Sequence, residues 1–144
     1  MTRRSRLVAL RFGAALLALG AGVSVYLFGR PAGSSYLGSY LDALHWDVGL
    51  FGAVGSSLPS FAHAFGFSLL SSLMVRRRWA ACGLWALLGA LFELTQQRAV
   101  AAYLAELPLP SVVQAYARGH FDPWDIGASC LGAACAYLYL RLEA

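Results

Sequence analysis

His63, Glu93, Asp122 and Asp125 stand in or beside long apolar stretches of this chain. An imidazole beside a carboxylate can pass a proton, and a carboxylate removed from water must find a partner or take up a proton. Ionisable groups at such positions are costly to bury, so each is a candidate for function. The chemistry they suggest is general acid–base work, with Glu93 as proton acceptor or donor, His63 as its partner and Asp125 as an orienting carboxylate. Gln96, Asp122, Arg118 and Ser129 are the candidate binding groups around them. Each position also has a structural reading. Asp122 and Asp125 open a helix, where a carboxylate caps free N–H groups and suits the dipole. A single histidine such as His63 serves equally as a satisfied structural residue. Glu93 is harder to dismiss, because it falls inside an apolar run.

The surrounding composition says what must position these groups. Of 144 residues, 59% are hydrophobic and only 12% charged, far fewer charges than a water-facing domain of this size carries. Lysine is absent, and all 11 basic residues are arginine. The net charge of +4 could suggest nucleic acid. The arginines, however, sit at the ends of apolar runs rather than on an aromatic-rich patch, so no nucleic-acid partner is expected. Cys82, Cys130 and Cys135 lie within apolar segments and lack metal-ligand spacing, which reads as small buried apolar residues. No His-Glu-x-x-His site, Gly-x-Ser-x-Gly elbow or phosphate-cradling glycine loop occurs, and no metal or cofactor is called for.

Four segments have the apolar character of membrane spans, at about 7–28, 58–75, 79–95 and 124–140. A spanning helix needs about 20 mainly apolar residues, so the last three are short. The expected fold is therefore all-α: one polytopic membrane domain over residues 1–144, with about four transmembrane helices. Orientation follows from the excess of arginine on the cytoplasmic side. With both termini inside, Arg3, Arg4, Arg6, Arg11, Arg76, Arg77, Arg78 and Arg141 are cytoplasmic, against Arg30, Arg98 and Arg118 outside. The Arg76-Arg77-Arg78 turn is the main anchor. Two longer segments then face outward. Residues 30–57 hold a short interfacial helix around Tyr36 to Trp46. Residues 96–123 begin as a helix over Ala99 to Leu107, break at Pro108 and Pro110, and form an interfacial or re-entrant element. A signal peptide is the competing reading of the first run, but that run is longer than the usual apolar core of one, and Arg30-Pro31 spoils the cleavage region.

Helical spacing brings the polar groups together in this topology. Gly89, Glu93 and Gln96 share one face of the third span, and Asp125, Ser129, Gly132 and Ala136 share one face of the fourth. His63, Gly66 and Leu70 line the second. Small residues below polar ones on each stripe suit closely packed membrane helices. The polar groups are expected to point into the bundle near its outer mouth. His45 and His120 lie on the same side and join a site only if their loops fold back.

Three pieces of the chain resemble the VanZ-like family of small membrane proteins. They are Ser57-Leu58-Pro59-Ser60-Phe61-Ala62-His63, Glu93-Leu94-Thr95-Gln96, and Gly119-His120-Phe121-Asp122-Pro123-Trp124-Asp125 with Gly132 beyond. His63, Glu93, Gln96, Asp125 and Gly132 match the family pattern, whereas Ser129 stands where the family often has asparagine. The resemblance covers about the last ninety residues. It implies a multi-pass protein of the bacterial plasma membrane with a cell-envelope role. The family's founding member is associated with low-level teicoplanin resistance, so an effect on glycopeptide susceptibility is a further implication. Two functions stay open. In one, an outward polar pocket binds or acts on a lipid-linked or amphiphilic envelope molecule. In the other, the same residues form an interhelical network in a non-catalytic accessory subunit, with a partner membrane protein or a second copy of itself. A transporter is a weaker third reading, because four short spans are few for a pathway.

Overall fold

The computed structural model describes residues 2–28, 55–111, 113–114 and 119–143. The predicted interfacial helix at Tyr36 to Trp46, together with His45 and Arg118, lies outside them. Among the described residues the elements are helical: α1 (Arg3–Phe28), α2 (Leu58–Ser71), α3 (Arg78–Thr95), α4 (Arg98–Ala105) and α5 (Pro123–Leu142).

Local signals account for the boundaries. Pro59 and Pro123 each occupy the first turn of a helix, where the missing N–H would have no helical partner. Asp122 is the N-cap of α5, its side chain accepting the Trp124 N–H. At α2 the N-cap is Ser57 without a side-chain bond, so Ser60 lies inside the helix and does not cap it. α2 stops at Ser71, four residues before the predicted end of the second span, and a turn leads through Arg76 and Arg77 into α3. α4 ends at Ala105, ahead of the Pro108 break.

α1 carries 26 residues, α2 14, α3 18 and α5 20. At about 1.5 Å per residue those lengths are roughly 39, 21, 27 and 30 Å, against a hydrocarbon core of about 30 Å. By length and composition α1, over Arg3–Val25, is the one described helix both long and apolar enough to cross a membrane.

α2 is the central element, packing most extensively on α5 and on α1. α3 lies against α5 and, less extensively, against α2. The contacts are close because the residues at them are small. Gly66 meets Leu19 and the Ala15 carbonyl of α1, Gly89 meets Ser129 of α5, and Gly132 lies directly on the Phe61 carbonyl of α2. The interior is built from Ala15, Ala62, Ala64, Ala81, Ala133 and Ala136 with Leu69, Leu140 and Cys82, and it includes buried Ser68, Ser72, Glu93 and Ser129. Many other large apolar side chains point outward: Leu17 is 78% exposed, Leu87 57%, Leu131 59% and Leu138 58%. In water this distribution would be unfavourable, since each exposed leucine gives up most of about 1.5–3 kcal/mol of burial.

Candidate functional site

The end of the bundle opposite the Arg76–Arg78 turn is where the acidic groups collect. α3 brings Glu93 there in its last turn and ends two residues later at Thr95. Gln96 is the C-cap, and Thr95 closes on itself through Oγ1 to the Phe92 carbonyl. Gly119, His120 and Phe121 lead into the start of α5. At the junction the Asp122 N–H donates to Glu93 Oε1 at 2.6 Å, in the extended stretch before the helix. Glu93 is only 5% exposed, so the bond is sheltered and ties the two elements together.

Charge shapes the rest of the cluster. Asp122, Asp125 and His120 all lie within electrostatic reach of Glu93. Asp125 sits half-buried in the first turn of α5, and its N–H donates to the Asp122 carbonyl at 3.0 Å. Asp122 spends its own side chain on the helix, with Oδ1 accepting the Trp124 N–H at 3.0 Å. Gln96 packs over Gly119, where an added Cβ would fall 2.6 Å from the Gln96 Oε1. That glycine therefore leaves room for the amide beside the returning strand of chain. Ser129 is buried one turn deeper, against Gly89.

The expected arrangement is thus assembled in part. Glu93, Gln96, Asp122 and Asp125 gather at one end, with Ser129 beneath them. His63 does not join them. It is exposed, makes no hydrogen bond to Glu93, and stacks along its own helix on Phe67 with ring centroids 5.9 Å apart. Phe67 in turn stacks on Trp85 of α3 at 4.6 Å, and the Trp85 indole N–H donates to Ser71 Oγ at 2.8 Å. The histidine within electrostatic reach of Glu93 is His120, itself exposed. A signal for it existed in the sequence: His120 stands two residues before Asp122, whose main chain Glu93 holds. Arg118 lies outside the described residues.

Chemically, the cluster offers several carboxylates, a carboxamide and an imidazole in one small region. It can accept hydrogen bonds from hydroxyl or amide groups and exchange a proton with them. Among the described residues, no three of His, Cys, Asp and Glu are grouped to hold a metal ion.

No family model, curated protein or solved structure matches the chain.

Proposed function

We propose that the protein is a multi-pass bacterial plasma-membrane protein whose outer end binds and acts on a lipid-linked or amphiphilic envelope molecule. The membrane reading is supported by the distribution of burial: an interior rich in small residues, with Ser68, Ser129 and Glu93 among them, and many leucines together with Trp79 and Trp124 outside, as expected when the surrounding solvent is itself apolar. α1 belongs to the bundle in this reading, since it packs along α2 and pairs with the end of α5 through Arg11 and Glu143. α2, α3 and α5 then span in spite of their modest lengths, by local thinning of the bilayer. Arginine distribution supports an orientation with both termini in the cytoplasm and the Glu93 cluster outside.

The observation that carries the functional reading is Glu93, buried and bonded to the Asp122 main chain amid two aspartates. Gathering like charges opposes folding, and such an arrangement is retained where it does chemistry. In this account Glu93 transfers the proton, Asp125 orients, and Gln96 and Asp122 bind the ligand's polar part. His120 takes the partner role that the sequence pattern suggests for His63. A change in glycopeptide susceptibility follows if the ligand is a cell-wall precursor.

The test is mass spectrometry of lipid-linked envelope intermediates in cells lacking the protein and in cells carrying wild type or Glu93→Gln. A species that accumulates in both the null and the variant, with the variant folded in the membrane, supports the proposal. Normal function of the variant would sink it. A second reading has an observation of its own: Glu93 and Asp122 both spend oxygens on main-chain N–H groups, as a structural network would. On that reading the protein is an accessory subunit, and Glu93→Gln fails to accumulate.

A further inference from the structure

At the opposite end, a shallow cavity of about 450 Å³ opens between the start of α3 and the end of α5. Arg76, Arg78 and Arg141 line it together with Trp79 and Tyr137. Among the described residues no carboxylate lines it, and the one ion pair there, Arg11 with Glu143, involves none of these three arginines. Two of the guanidinium groups are held in place by neutral partners. Arg78 Nη1 donates to the Leu140 carbonyl at 2.7 Å, which uses one of its five N–H donors. Arg141 lies over the Tyr137 ring, 6.0 Å from its centroid. Trp79 is 62% exposed at the rim, the side chain expected at the level of lipid headgroups. The N-terminus of α3 opens on the same cavity and adds a partial positive charge.

We propose that this cavity is a binding site for a phosphate ester, supplied by the headgroup of an anionic phospholipid in the cytoplasmic leaflet. Guanidinium forks match phosphate oxygens in bidentate geometry, and three such groups with no carboxylate partner among the described residues carry a charge that a phosphodiester neutralises. The cavity lies at the low end of ligand-pocket sizes and admits a headgroup while the acyl chains stay outside. Naming a lipid as the source rests on the membrane reading above; the phosphate chemistry rests on the arginines alone.

The test uses the full chain in neutral detergent, titrated with phosphatidylglycerol, phosphatidylcholine or inorganic phosphate and read by native mass spectrometry. Arg76→Gln/Arg141→Gln removes two cavity charges and leaves Arg78 to tie the helices. Arg3→Gln/Arg4→Gln removes the same charge elsewhere. Phosphatidylglycerol should be retained over phosphatidylcholine, about tenfold less by the cavity double variant and within about twofold of wild type by the control. Binding of inorganic phosphate with the same variant dependence, and no lipid preference, would keep the site but make its ligand soluble. Equal losses in both double variants, or none in the first, would overturn the proposal. Carbonate extraction of cell membranes reads the membrane reading separately: a washed-out wild-type protein refutes that reading without touching the ratio between the variants.

Discussion

At the arginine end of the bundle, Arg11 pairs with Glu143 at 2.7 Å and Arg78 reaches the Leu140 carbonyl, whereas at the other end Glu93 takes the Asp122 N–H amid Asp122 and Asp125. The first end fastens Arg11 to a carboxylate and Arg78 to a carbonyl, and its remaining arginines stand around an open cavity. The second gathers like charges around a buried carboxylate, Glu93, with His120 within electrostatic reach. Folds depart from local electrostatic preference mainly where function requires it, and that contrast singles out the Glu93 end.

Substitutions at the seam between the ends, then at each end, should break or sharpen this contrast. The largest effect is expected at Gly132, where any side chain meets the Phe61 main chain, which cannot rotate away. Gly132→Leu should cost about 3 kcal/mol or more and abolish accumulation, seen by immunoblot of membranes. Both ends would fail together. Glu93→Ala should follow, with a loss of about 2 kcal/mol in detergent unfolding, because the Asp122 N–H is left without its acceptor. Glu93→Gln keeps an acceptor oxygen and removes one of the clustered charges. Its melting temperature should equal or exceed that of wild type while function is lost, an outcome a purely structural end would not give.

Arg11→Gln should cost about 1–2 kcal/mol, less than a fully buried pair, since the two side chains keep 15% and 10% of their exposure. Envelope chemistry should be spared at matched protein level, which separates fastening from function. The smallest effect belongs to His63→Ala. Exposed and stacked only on Phe67, His63 should change stability by less than about 0.5 kcal/mol. If function also survives that change but not His120→Ala, the imidazole of the site is identified.

Much of this was legible in the residues. Pro59, Pro108 and the Asp122-Pro123 pair mark helix boundaries by their own backbone chemistry and the Arg76–Arg78 turn by its charge, and helices lie where those marks predict. The inward stripe of Ser129, Gly132 and Ala136 followed from helical spacing and small size, as did the burial of Glu93. The orientation of His63 did not follow. Residues 63 and 66 are about 60° apart on a helix, so a shared stripe leaves open which of them turns inward. α2 gives Pro59, Ala62, Ala64, Gly66, Ser68 and Leu69 to its neighbours, and His63 is left on the remaining face with Phe67. His120 was a conditional candidate for a different reason: its place depends on the Glu93–Asp122 bond two residues on, a contact 29 residues apart in sequence.

The most direct test of the account is whether the two ends lie on opposite sides of a membrane. Single cysteines at His120 and at Arg77, in a chain with Cys82, Cys130 and Cys135 replaced by alanine, can be challenged with a membrane-impermeant thiol reagent on intact cells whose outer layers admit it. The account predicts labelling at position 120 in intact cells and at position 77 only after the plasma membrane is opened. Equal labelling of both before opening, or labelling of position 77 alone, would contradict it.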